Sequence, residues 1–211
     1  AICKAMLETG THPDFITVDG AEGGTGAAPL EFSNRLGTPA DEALALVHNC
    51  LVGVNLRQHI RIISSAKVAT GFDVVRRIAL GADACNLARP MMFALGCIQS
   101  LRCNTNTCPT GVATTNKRRA YAININQKSQ HVANLHRNTI KSFRELMGAM
   151  GASQPSELTP SMIRLRLSEG QSTSYSDLLN YLEPGDLLTP NVHPAYRSAW
   201  NKARPDTFAT N

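Results

Sequence analysis

Three strand-and-helix pairs of similar length follow one another in the first half of the chain, and this order constrains the fold more than any other feature. A short β-rich segment at 14–19, with Phe15, Ile16, Thr17 and Val18 between two aspartates, ends at a Gly-rich turn. Thr38, Pro39, Asp41 and Glu42 then supply an N-cap, an N1 proline and early acids. The helix they start has an apolar face through Ala43, Leu44, Leu46, Val47, Leu51 and Val52. The second pair is a strand at 60–64 and a helix at 72–81 with Gly81 as its C-cap; the third is a strand at 84–88 that leads through Arg89 and Pro90 into a helix at 91–96. Strands this apolar, separated by amphipathic helices, are expected to be buried on both faces, which means an α/β architecture with a parallel sheet, either an open wound sheet or a (β/α)8 barrel. Three pairs cannot close a barrel of eight, so the barrel reading puts about five strands outside this chain.

Composition narrows the class. With 211 residues, 43% hydrophobic content and one Trp, the chain has material for a substantial core, and no apolar run is long enough for a membrane span. The 21 basic and 16 acidic residues give a net charge of +5, spread without any arginine-rich stretch interleaved with aromatics. That argues against nucleic acid and leaves room for an anionic ligand or an acidic redox partner. Residues 1–10 have the pattern of a helix's last turns, which predicts that the chain is a piece of a longer protein.

After residue 113 the organisation changes. A polar connector at 114–129 precedes a helix at about 132–150 that carries Leu135, Ile140, Phe143, Leu146 and Met147 on one side. A short helix is expected at 161–167 after the Thr159-Pro160 start signal, and the remainder reads as largely irregular. The segments are therefore 1–113, 114–151 and a polar extension at 152–211.

Three features carry candidate chemistry. Cys97, Cys103 and Cys108 lie in one short polar loop that begins where an apolar helix ends, with Pro109 stiffening its exit. Closely spaced thiolates wrap an iron-sulfur cluster, and three at this spacing fit a three-iron cluster better than a four-iron one. The competing readings are free thiols and a zinc site completed by His131 or His136, although zinc favours four ligands in paired C-x2-C-like spacing. Cys3, Cys50 and Cys85 sit singly in apolar contexts and read as small buried hydrophobes. The Gly-rich turn after the first strand, with Gly20, Glu22, Gly23, Gly24, Thr25 and Gly26, is glycine-dense enough for backbone NH groups to approach a ligand closely. The next two strand-end loops offer Ser65, Lys67 and Gly71, then Arg89, at the place where barrels commonly bind phosphate.

At these residues the sequence resembles the FMN-binding synthase domain of glutamate synthase. The resemblance rests on 19–30, on 70–75 with 79–83, and on 91–97 through 103–112; it covers about 1–151, with a family-like 155–160 beyond. It implies the last three or so βα units of a (β/α)8 barrel that carries FMN beside a 3Fe-4S cluster. It further implies an oxidoreductase of glutamate biosynthesis and ammonia assimilation. Ammonia and 2-oxoglutarate give 2-iminoglutarate, which reduced FMN converts to L-glutamate, with electrons from ferredoxin or an NAD(P)H-linked subunit. Cys97, Cys103 and Cys108 would be cluster ligands, Ser65, Lys67, Gly71 and Arg89 would line the FMN phosphate region, and the loop from Gly20 to Gly26 would face flavin and substrate. The setting implied is the cytoplasm, or the plastid stroma in a photosynthetic eukaryote.

Two positions depart from the family pattern: Ala66 stands where Ser-Gly-Lys is usual, and Pro90 where Ala-Arg-Gly-Met-Met is usual. One adds a methyl group where backbone meets phosphate; the other removes an NH. Close alternatives are a related FMN enzyme such as N-methylglutamate synthase, or a non-catalytic electron-transfer or assembly module. With most substrate-binding residues expected elsewhere, the 211 residues alone are expected to be inactive.

Overall fold

The computed structural model describes residues 1–20 and 28–209. Helix α1 (Ile2–Thr9) leads to β1 (Phe15–Asp19), a short α2 (Leu30–Asn34), α3 (Ala40–Gly53), β2 (Arg61–Ser65), α4 (Gly71–Ala79), β3 (Ala84–Cys85) and α5 (Arg89–Leu95). The strands pair in the order β1-β2-β3 and all run parallel, with Ile16 beside Ile62, Val18 beside Ser64 and Ser64 beside Cys85. The mixed α/β class and the parallel sheet are as expected, with boundaries shifted slightly. Pro39, not Thr38, is the N-cap of α3, and β3 keeps two of its five expected residues.

Burial on both faces is met on one face only. Val18, Ile62 and Ser64 are buried, and the first two join Leu44, Leu51 and Val75 in the main core. On the other face Phe15 is 56% exposed and Thr17 and Asp19 are open beside it. The cause is that, among the described residues, helices cover one face of the sheet only, where burial of both faces needs a cover on each.

A second helical layer lies outside the first. Helix α7 (Ile125–Ala149) begins before the expected residue 132 because Asn124 caps it, accepting from the Gln127 N–H. It packs on α4 and α5, burying Phe143 and Met147. The connector before it contains α6 (Lys117–Ala120).

The polar extension is more ordered than its composition suggests. Residues 161–167 form no α-helix: a one-turn 3-10 helix at Pro160–Met162 delivers β4 (Arg164–Ser168), antiparallel to β5 (Gln171–Ser174). Alternation of Arg and Leu in β4 is a strand period, which the Thr-Pro start signal obscured. Beyond α8 (Tyr175–Leu178), Leu182, Leu187 and Val192 pack with Val54 into a second buried cluster, joined by Tyr196 and Trp200 of α9 (Pro194–Lys202). Buried Asn49 accepts from the Leu182 N–H at 2.9 Å, and the Lys4 ammonium lies 5.0 Å from the Trp200 ring centroid. No helix among the described residues is long and apolar enough to cross a membrane.

At the amino-terminal end of the sheet, Arg57 ties four elements together. Its guanidinium donates to His48 Nδ1 (3.2 Å), to the carbonyls of Ile60 (3.0 Å) and Gly81 (2.9 Å), and to Asp83 (2.8 Å). Gly81 has φ +114°, and a Cβ there would stand 2.2 Å from His48 Nδ1, so glycine is required. Burial, with Arg57 beside it, lowers the His48 pKa to about 4 from 6.5. Above pH 6.5 the imidazole is neutral in folded and unfolded chains alike; below it the unfolded chain takes up a proton that the folded protein refuses until about pH 4. Unfolding free energy therefore falls by up to roughly 3 kcal/mol across that window. Denaturant titrations at stepped pH check this, and His48→Gln flattens that part of the profile.

Candidate functional site

Parallel pairing brings the exits of β1, β2 and β3 to one edge, where a cleft of about 410 Å³ is lined by Asp19, Ser65, Lys67, Asn86 and Arg89 among others. Ser65, Lys67 and Arg89 are thus gathered as the sequence suggested. Lys67 Nζ donates to Asn34 Oδ1 of α2 at 3.0 Å, bringing α2 to the rim. Arg89 is the first residue of α5 and is exposed; Pro90 follows in the first turn, where a backbone N–H has no intrahelical partner to lose.

The turn after β2 is held in an uncommon conformation. Ala66 and Lys67 are both left-handed, at φ +70° and +49°, a region that costs a non-glycine residue roughly 1–2 kcal/mol. The residues that follow are clamped by α4: Asp73 Oδ2 accepts from the N–H groups of Ala69 (3.1 Å) and Thr70 (3.0 Å), while Thr70 accepts from the Asp73 N–H. This capping box fills the position at the head of α4 where an external anion would otherwise sit.

Gly71 and Gly20 do not line the cleft. A Cβ on Gly71 would lie 2.6 Å from Ser142 Oγ and 2.7 Å from the Phe143 nitrogen, and one on Gly20 would lie 2.3 Å from Ala40 Cα. Both glycines admit a close approach, of α7 and of α3 respectively. Glu22, Gly23, Gly24, Thr25 and Gly26 lie outside the described residues.

Cys97 and Cys103 line a second cleft of about 520 Å³, which shares Arg89, Phe93 and Gln99 with the first. Helix α5 is the common wall. Gly96, at φ +107°, ends the helix, and the Cys97 N–H returns to the Met92 carbonyl at 3.0 Å. Cys108 is buried elsewhere in the loop. Its thiol lies 3.5 Å from Thr110 Oγ1, and that hydroxyl together with the amides of Ala113, Thr110 and Val112 lowers its pKa to about 7. The far side of the loop is pinned by Asn106, which accepts from Thr114 Oγ1 (2.8 Å) and the Thr115 N–H (2.7 Å), and by Arg119, which donates to the Thr107 carbonyl (3.1 Å). Among the described residues no three His, Cys, Asp or Glu side chains converge on one metal position, so neither a cluster nor a zinc set with His131 or His136 is assembled.

The remaining cysteines correct one expectation. Cys3 and Cys50 are not single: each thiol perturbs the other, pulling Cys3 down and pushing Cys50 up. Cys85 is raised to about 11 by burial, as suits an inert thiol.

Sequence reasoning missed Asn34, Asn86 and Gln99, polar residues with no motif of their own. It also missed Asp73 as the occupant of the α4 terminus, although the Thr70-x-x-Asp73 spacing is a capping-box signal.

Residues 3–153 match the family described as a conserved region in glutamate synthase. A glutamate synthase large subunit-like protein of Bacillus subtilis is 38% identical over 175 residues, covering 83% of this chain and 33% of that one. An archaeal NADPH glutamate synthase of Methanocaldococcus jannaschii is 37% identical over 153 residues, 72% of this chain and 30% of that one. The chain thus spans about a third of the length of these relatives. Among solved structures, a doubly substituted flavocytochrome b2 with sulfite bound aligns at TM-score 0.45 and 16% identity over 76% of this chain and 31% of that one, a likeness too slight to argue from.

Relieving the left-handed alanine is expected to stabilise the fold. Ala66→Gly gains about 0.5–1 kcal/mol, the removed strain less glycine's added unfolded-state entropy. Denaturant midpoints of the two proteins read the difference.

Proposed function

This chain belongs to the glutamate synthase family, and from that premise we propose that it supplies the phosphate end of the flavin site and the cluster loop of a glutamate-forming oxidoreductase. The observation that carries the reading is the shared wall between the two clefts. Arg89, Phe93 and Gln99 border both the strand-end cleft and the cleft of Cys97 and Cys103, so a flavin phosphate and an iron-sulfur cluster would be neighbours across α5.

The residues of the strand-end cleft suit FMN. Ser65 offers a hydroxyl, and Lys67 and Arg89 offer positive charge to a phosphate. With Asp73 already at the head of α4, the phosphate falls to these side chains and the adjacent turn rather than to that helix terminus. The carboxyl edge of a parallel sheet is also where a (β/α)8 barrel builds its active site, and the open face bearing Phe15 and Thr17 suits a barrel interior closed by further strands. Reduced FMN held there would supply the hydride that takes 2-iminoglutarate, formed from 2-oxoglutarate and ammonia, to L-glutamate. The expectation that residues 22–26 border the flavin and substrate belongs to the same proposal.

The cysteine loop suits a 3Fe-4S cluster by its donors more than by its present geometry. Three thiols lie in one loop and Cys108 is already biased toward thiolate near neutral pH. Asn106 and Arg119 fix the far side of the loop, leaving the segment with Cys97 and Cys103 to close on the cluster. Electrons would come from ferredoxin or an NAD(P)H-linked partner. The finer placement, in cytoplasm or plastid stroma, belongs to the same proposal.

The full-length protein, purified without oxygen, is expected to carry FMN and to form glutamate from 2-oxoglutarate and ammonia. Cys97→Ser, Cys103→Ser and Cys108→Ser each remove its non-haem iron while leaving bound flavin. The 211 residues alone are expected to give no turnover. Methylamine as the preferred nitrogen donor would point to N-methylglutamate formation, and a protein with neither flavin nor glutamate formation contradicts the proposal.

A further inference from the structure

The least expected side chain in the core is Arg77, 1% exposed in the last turn of α4. A buried guanidinium is costly to desolvate, so its partners define what it does. One is Asp41 in the first turn of α3, whose Oδ1 accepts from Arg77 Nη1 in an ion pair. The other is the carbonyl of Ala66, which faces Arg77 Nη2 at 3.4 Å.

Asp41 is itself held on several sides. Arg76 Nη1 approaches its Oδ2 at 3.4 Å, and the Tyr175 hydroxyl donates to the same oxygen at 3.2 Å. Arg76 also pairs with Asp73 at 3.2 Å, and Asp73 is the carboxylate that takes the amides of Ala69 and Thr70. The loop between β2 and α4 is therefore gripped at both ends from beneath: the Ala66 carbonyl by Arg77, and the 69–70 amides by Asp73. The left-handed pair Ala66 and Lys67 begins at the first of those grips and lines the cleft.

We propose that Arg77 is a positioning residue for the phosphate site: paired with Asp41, it holds the Ala66 carbonyl inward, so that the left-handed turn presents Ser65 and Lys67 to a phosphoryl group. The inference rests on the flavin reading above and adds to it an internal support that never touches the cofactor. A lysine at this position keeps the charge for Asp41 but lacks the planar fork that reaches Asp41 and Ala66 together.

The test compares FMN with riboflavin, which lacks the phosphate, on the deflavinated full-length protein. Arg77→Lys is expected to weaken FMN binding by about tenfold or more, as loss of charge-assisted contacts to phosphate does, while riboflavin affinity stays within about twofold of wild type. Asp41→Asn, which keeps the hydrogen-bonding shape, shifts the same ratio in the same direction. Amide exchange at 68–70 speeds up in Arg77→Lys while exchange in α7 does not. Equal loss of FMN and riboflavin, or no loss of either, overturns the role given to Arg77. A wild-type protein that binds neither flavin overturns the cofactor reading instead, and the exchange measurement then still decides whether Arg77 orders the turn.

Discussion

Because β1, β2 and β3 run parallel and in register, the segments leaving their carboxyl ends share one edge, and the strand-end cleft is built there. Asp19 pairs with Ser65 across β1 and β2, and the route from Ser64 and Cys85 leads on to Arg89. An antiparallel arrangement of the same segments would alternate their exits between the two edges and separate Lys67 from Arg89. The helices fix this edge. Helix α3 closes on Gly20, α7 closes on Gly71, and α5 carries the chain from the strand-end cleft to the cysteine loop.

The buried charges under that edge work through arrangement more than through stability. A buried ion pair contributes little net stability because desolvation offsets much of the Coulomb gain. What Arg76, Arg77, Asp41 and Asp73 share is geometry: they tie α3, α4 and Tyr175 of the extension to one loop. The extension at 152–211 is therefore part of the scaffold, and its apolar residues close a second core against Val54. The departure from family pattern at Ala66 sits in the same place. Its methyl group accompanies a left-handed backbone, and a buried arginine faces its carbonyl.

How much of this the sequence discloses depends on the kind of signal. The three βα pairs were legible because apolar periodicity and caps are local, and the gathering of Ser65, Lys67 and Arg89 followed from strand order alone. The glycines were legible as constraints but not in kind: Gly20 and Gly71 are needed for helix approach, and no local pattern distinguishes a Cβ that would strike a ligand from one that would strike Ala40 or Ser142. Arg77 was illegible for a related reason, since its burial depends on Asp41, 36 positions away. The order in the extension was hidden because Leu182, Leu187 and Val192 follow neither a helix nor a strand period, and each finds its place in a cluster with Val54, more than 120 positions earlier in the chain. The three thiols read as a cluster site by spacing, and spacing does not say whether their sulfurs converge.

The central claim is that the edge after β2 and β3 receives a flavin phosphate beside the cysteine loop. An experimental structure of the full-length, flavin-loaded protein tests it most directly. The account predicts the FMN phosphate within hydrogen-bond distance of the Ser65 to Lys67 turn and Arg89, with Asp73 still at the head of α4. A phosphate seated on the α4 terminus with Asp73 displaced, or at a site that touches neither loop, would contradict it.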